Sequence, residues 1–120
     1  MKKRHDSDLI NDILHAANLA RSFVDGFSID QFEADPRTHF ATIHQLMVIG
    51  EAANRLSTTF RKALPSVPWK KMIGMRNVLI HIYEEADLTE VWKTVQEDLP
   101  ALVTILESEG RALLTVKNPK

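Results

Sequence analysis

Apolar residues recur every three or four positions along almost the whole chain, and Pro36, Pro65, Pro68 and Pro100 punctuate that rhythm. A chain with this period folds by packing the apolar stripe of one helix against another. The first stretch, about Asp6 to Asp25, sets Leu9, Ile13, Ala16 or Ala17, Ala20, and Phe23 or Val24 on one face, with Gly26 as its stop. The alanines narrow that face, so a partner helix can lie close.

Ser28 and Gln31 have capping-box spacing, in which each side chain satisfies the other residue's backbone N–H, and they predict a short second helix. Asp35-Pro36 reads as the N-cap and first residue of a long helix running to about Leu64. Its broad face carries Phe40, Ile43, Leu46 or Met47, Gly50, Ala53, Leu56 or Ser57, and Phe60. The small residues Gly50, Ala52 and Ala53 suit either a close helix crossing or bulky groups arriving from elsewhere.

Pro65-Ser66-Val67-Pro68 predicts a break, Trp69 to Met72 a single turn, and Gly74 a change of direction. The next helix is expected over about Met75 to Tyr83, followed by the link Glu84-Glu85-Ala86 and a second capping box at Asp87 and Glu90. From Leu88 to about Val116, the residues Val91, Trp92, Val95, Leu99, Leu102, Val103, Leu106, and Leu113 or Leu114 keep the helical interval. Pro100 divides or kinks that stretch, and the tail Lys117-Asn118-Pro119-Lys120 frays. The expected fold is all-α, a four-helix bundle with short accessory helices, in a single domain spanning residues 1–120.

With 44% hydrophobic and 26% charged residues, the composition is that of a chain able to bury a core, not of a disordered one. A core of this size is modest, so a self-associating apolar face would add stability and makes a homo-oligomer plausible. The absence of cysteine excludes disulfides, thiolate metal sites and thiol catalysis. Met1-Lys2-Lys3-Arg4 is basic but is not followed by the apolar core of a signal peptide, and no run approaches the roughly 20 apolar residues of a membrane span. A cytoplasmic protein without membrane contact is expected.

Net charge is −1, but it is unevenly distributed. Residues 52–83 contain no Asp or Glu and six cations, Arg55, Arg61, Lys62, Lys70, Lys71 and Arg76. The remainder carries nine basic against sixteen acidic residues, net −7. Two readings fit: a surface that attracts a polyanion, or a solvated face whose counter-charges come from tertiary neighbours. On the first, Lys70, Lys71, Arg61 and Lys62 are the candidate RNA contacts.

The chemistry concentrates in Arg76-Asn77-Val78-Leu79-Ile80-His81-Ile82-Tyr83. Asn77 and His81, four apart, share a helical face, whereas Arg76 and His81 diverge by about 140°. Convergence therefore requires the Arg76 side chain to wrap, the helix to end near His81, or a second copy of the motif to complete the site. Around a phosphodiester these types suit RNA cleavage. His81, with a reference pKa of about 6.5, can exchange protons, and Arg76 can hold the nonbridging oxygens. Asn77 can orient His81 or donate directly, and Tyr83 suits hydrogen bonding better than base catalysis. Attack by the RNA 2′-hydroxyl needs no metal, and its first product is a 2′,3′-cyclic phosphate. The plainer reading is structural, with His81 as a satisfied helix residue, Arg76 in an ion pair and Tyr83 burying its ring. His5, His15, His39 and His44 form no zinc set by spacing. Glu51 pairs with Arg76 or Lys70, or faces water, and Trp69 and Trp92 read as core or interface anchors.

Arg76, His81 and Tyr83 resemble the Arg, four to six residues, His, one residue, Tyr signature of HEPN-superfamily ribonucleases. The wider pattern is similar to the HepT-like toxin family: Phe32, Ile49-Gly50-Glu51-Ala52, Pro68-Trp69, Gly74-Met75-Arg76-Asn77, His81, Tyr83, Val91-Trp92 and Asp98-Leu99-Pro100. The resemblance implies a HEPN domain whose homodimer brings the polar helices together around a cleft. It also implies metal-independent endoribonuclease activity as the toxin of a toxin–antitoxin pair, acting on RNA and not DNA, without a cofactor. Arg76 and His81 take the family's catalytic positions, and Asn77 matches the polar residue that often follows its arginine. The implied antitoxin is a minimal nucleotidyltransferase that transfers AMP from ATP to Tyr83 and so silences the toxin. Proteins of this class can instead be noncatalytic helical partners of the nucleotidyltransferase.

Overall fold

The computed structural model describes residues 5–81 and 87–117, with 78–81 and 115–117 as backbone alone; among them every regular element is helical and no strand occurs. Helix α1 (Asp6–Phe23) buries Leu9, Ile13, Ala16, Ala17 and Ala20 of the expected stripe, with Ile10 and Leu14 widening it. It ends at a turn where Gly26 adopts φ +81°, a left-handed conformation open to glycine without steric cost. Ser28 and Gln31 form the reciprocal capping box of α2 (Ile29–Ala34), with Ser28 N donating to Gln31 Oε1 at 2.8 Å and Gln31 N to Ser28 Oγ at 3.1 Å. Asp35 then caps α3 (Pro36–Arg55), accepting from Thr38 N and Thr38 Oγ1.

The long helix stops at Arg55 instead of reaching Leu64. Leu56 and Ser57 are extended, and Ser57 opens a separate helix α4 (Thr58–Ala63) by accepting from Phe60 N. The cause lies 51 positions away in sequence: Asp6 at the start of α1 accepts from Ser57 N at 3.0 Å and from Ser57 Oγ at 2.7 Å. Helical spacing continues through Leu56 and Phe60, both buried, so periodicity alone could not reveal the corner.

A second correction concerns α5 (Trp69–His81), which runs unbroken through Gly74, whereas the sequence predicted one turn and then a redirected helix. Glycine costs a helix interior only about 1 kcal/mol, and α5 offsets that by packing Met72, Ile73 and Met75 against the core. Its start is held by Trp69, whose Nε1 donates to the carbonyls of Arg61 and Leu64 at 3.1 Å.

The C-terminal rod comprises α6 (Leu88–Lys93), a wide π-turn at Thr94–Asp98, α7 (Leu99–Ile105), a second π-turn at Leu106–Gly110, and α8 (Arg111–Lys117). Asp87 caps α6 through Thr89 N and Glu90 N, the first half of the expected box. Pro100 does not divide the rod. A proline ring collides with the carbonyl four residues earlier in an α-helix, and the five-residue turn just before it shifts those carbonyls so that the helix continues.

α1 and α5 flank α3, and the rod closes the bundle against α1, with α2 and α4 as accessory helices. Phe32, fully buried, meets the ring of Trp92 at 5.3 Å and that of His39 edge-on at 6.0 Å. His39 Nδ1 lies 3.2 Å from the Phe32 carbonyl, which makes it a satisfied core histidine. Each large apolar side chain buried this completely contributes about 1.5–3 kcal/mol. Among the described residues no helix is long and apolar enough to cross a membrane.

Candidate active site

The site grows from the crossing of α3 and α5, and Gly50 sets their separation. A β-carbon at position 50 would collide with Arg76 Cβ and lie 2.9 Å from the Met72 carbonyl oxygen. The close-crossing alternative for the small residues of α3 therefore holds at Gly50, and its counterpart on α5 is the stem of Arg76 with the Met72 carbonyl. This contact delivers Arg76 beside the residue that follows Gly50. Arg76 Nη2 pairs with Glu51 Oε1 at 2.8 Å, with side chains 30% and 44% exposed respectively, so the pair is accessible to a solute. Of the three readings open for Glu51, pairing with Arg76 is the one observed.

Arg76 Nη1 donates to Asn77 Oδ1 at 2.8 Å. The guanidinium thus meets the amide of Asn77, a residue whose helical face position 81 shares one turn further on. Arg76 and Asn77 are thus joined, while the convergence of Arg76 with His81 and Tyr83 falls on side chains outside the described ones. Position 81 is described as backbone alone and Tyr83 lies outside the described residues, as do Glu84 and Glu85.

The cations of the carboxylate-free segment differ in exposure and in partners. Lys71 Nζ donates to Asp98 Oδ2 on the rod at 2.7 Å, and that hydrogen bond holds its ammonium above the ordinary lysine value against the opposing effect of desolvation. Lys62 and Lys70 are exposed, while Arg61 is half-buried and its Nε finds no hydrogen-bond partner among the described residues. Arg76 and Lys71 thus draw their counter-charges from other elements, Glu51 on α3 and Asp98 on the rod.

A groove of about 280 Å³ adjoins Arg76, walled by Leu9, Met47, Val48 and Ala52, with His44 and Arg55 at its edges. The sequence contained no local signal for it, because its walls come from α1 and α3 while Arg76 comes from α5. A larger cleft of about 490 Å³, lined by Arg21, Asp25, Phe27, Trp92 and Pro100, lies toward the other end of α1 and shares no residue with the Arg76 site. Among the described residues no group of three or more His, Asp or Glu side chains is arranged to hold a metal ion.

The family described as "Ribonuclease HepT-like" matches residues 13–109. The chain is 39% identical over 100 residues to "Probable ribonuclease HepT" of Thermococcus cleftensis, covering 83% of this chain and 91% of that protein. It is 38% identical over 102 residues to "Putative RNase MJ1380" of Methanocaldococcus jannaschii, covering 85% and 94%. No solved structure matches the chain significantly.

Proposed function

The chain belongs to the HepT-like family of HEPN ribonucleases, and from that premise we propose that it is the toxin of a toxin–antitoxin pair, a metal-independent endoribonuclease. Its active site is a cleft shared between two protomers and built from Arg76, Asn77 and His81. The observation that carries this reading is the Arg76 head, part-exposed and hydrogen-bonded to Asn77.

In the reaction the RNA 2′-oxygen attacks the adjacent phosphorus and loses its proton to a base. The bond from phosphorus to the 5′-oxygen breaks, and that oxygen takes up a proton as it leaves. The products are a 2′,3′-cyclic phosphate and a 5′-hydroxyl. A histidine serves either transfer at neutral pH. Arg76 offers planar donors to the nonbridging oxygens, where negative charge accumulates in the transition state. Exposed Lys70 and Lys62, together with Arg61 and Lys71, are the proposed contacts to the rest of the RNA strand.

The proposed off switch is AMP transfer to Tyr83 by a minimal nucleotidyltransferase. Added phosphates at the rim of an RNA-binding cleft repel substrate and occupy its space. Intact mass of the protein made with and without that partner reads the switch, with AMP increments at Tyr83 expected only when the partner is present.

Purified, unmodified protein incubated with RNA in excess chelator should cleave it, and Arg76→Ala and His81→Ala should each reduce the rate by at least about 100-fold. Cleavage untouched by both substitutions, or absent across diverse RNAs, would sink the assignment. The ion pairs that already engage Arg76 and Lys71 favour a second reading, a noncatalytic helical partner of the nucleotidyltransferase. It predicts stable complex formation with no RNA turnover by either the modified or the unmodified form.

A further inference from the structure

We infer that Glu51 is a positioning residue of the proposed ribonuclease site, aiming the guanidinium of Arg76 from the neighbouring helix. The inference rests on the RNA-cleaving reading for its consequence but not for its geometry.

Stability does not account for this pair. Both partners are part-exposed, and ion pairs open to solvent contribute little to folding. Simple affinity does not account for it either, because a carboxylate 2.8 Å from an arginine opposes the approach of a phosphate to the same group. What Glu51 provides is direction. An arginine side chain has many rotamers, and on α5 the stem of Arg76 points well away from the face of position 81. Two contacts from different elements remove that freedom: Glu51 of α3 at Nη2 and Asn77 of α5 at Nη1. Neither contact uses the Nε–H, and a guanidinium carries five N–H donors, so two contacts leave donors for a phosphate.

Gly50 makes the arrangement possible. Because position 50 lacks a β-carbon, α3 meets α5 at the level of Met72 and Arg76, and the next residue of α3 reaches the guanidinium. Neighbouring residues thus divide the task, Gly50 setting the distance and Glu51 the aim.

The test compares Glu51→Ala and Glu51→Gln in the full-length protein by two readouts. The first is the NMR signal of the Arg76 Nε–H, which reports guanidinium rotation without any substrate. The second is RNA cleavage, with kcat and KM resolved separately. Glu51→Ala should speed guanidinium rotation and lower kcat by about 10- to 100-fold without raising KM, with the melting temperature moving by no more than about 3 °C. Glu51→Gln, which keeps an oxygen acceptor, should recover kcat to within about fivefold of wild type. In an Arg76→Lys background, Glu51→Ala should add no further loss. Unchanged guanidinium rotation in Glu51→Ala overturns the inference whatever the activity. Unchanged kcat in that variant does the same, and so does a Glu51→Gln loss as deep as that of Glu51→Ala, because the charge and not the aim would then be what matters. If the wild-type protein shows no Arg76-dependent cleavage, the ribonuclease reading fails by itself, and the NMR comparison still decides whether Glu51 orders Arg76.

Discussion

Asp35 and Lys71 each owe a displaced pKa chiefly to hydrogen bonding with one named residue, and the two act at opposite ends of the pH scale. The hydrogen bond from the Thr38 side chain, followed by that from Thr38 N, holds the Asp35 carboxyl below its ordinary 3.8. A depressed acid stabilises the fold above its unfolded pKa, and the contribution is lost as pH falls below 3.8 through the folded value. Asp35→Ala should therefore lower the unfolding free energy measured in urea at pH 7, and the difference from wild type should shrink in acid. Lys71 is the mirror case. The Asp98 hydrogen bond raises its pKa above 10.5, so its contribution is complete below that value and disappears only at higher pH. Because Asp98 already balances Lys71, while Lys70 is exposed and unpaired among the described residues, their roles toward RNA should differ. Lys70→Ala should reduce the salt dependence of RNA binding by about 0.7 in the log–log slope, and Lys71→Ala by much less, as filter binding at several salt concentrations would reveal.

Among the helices, two glycines of similar appearance carry opposite expectations. Gly50 in α3 faces the Arg76 stem and the Met72 carbonyl of α5, so Gly50→Ala must push the helices apart at Arg76. The expected penalty is about 1–3 kcal/mol, together with loss of the Glu51 contact and a drop in cleavage. At Gly74 in α5 a β-carbon would meet nothing within 4 Å. Gly74→Ala should stabilise the protein by about 0.5–1 kcal/mol and leave the Glu51 contact to Arg76 in place. Thermal and urea denaturation of the two variants decide the matter, and matching signs would contradict the packing described for α3 and α5. The same contrast explains why Gly74 misled the sequence reading. A glycine within a helical pattern marks a turn, a close approach or nothing at all, and only the neighbouring element distinguishes them.

For the molecule as a whole, the proposed cleft makes a prediction about stoichiometry. If Arg76 of one protomer works with His81 of the other, mixing Arg76→Ala with His81→Ala protein should restore activity that neither has alone. Half of the randomly mixed dimers are hybrids with one of two sites intact, so recovery should approach about a quarter of wild type. Sedimentation of the mixture should show dimers at the same concentration. A dimer without recovery would place both groups within one protomer, and a monomer that still cleaves RNA would dispose of the shared cleft.

By itself the sequence determined the helical class, the capping of α2 and α3 at Ser28, Gln31 and Asp35, most of the buried stripe of α1, and the polar chemistry gathered on α5. All of these follow from period, local hydrogen bonding and residue type, which act over a few positions and are legible without the fold. The corner between α3 and α4, the continuity of α5 past Gly74, and the passage of the rod through Pro100 depended on partners or backbone adjustments that no local pattern records. So did the site's final form. Arg76 could be named from its place in a motif, but which carboxylate it meets, and how closely α3 must approach to bring Glu51 there, was settled by side chains packed across helices. Such contacts join residues distant in sequence, and their free energy exists only once the core has brought the helices together.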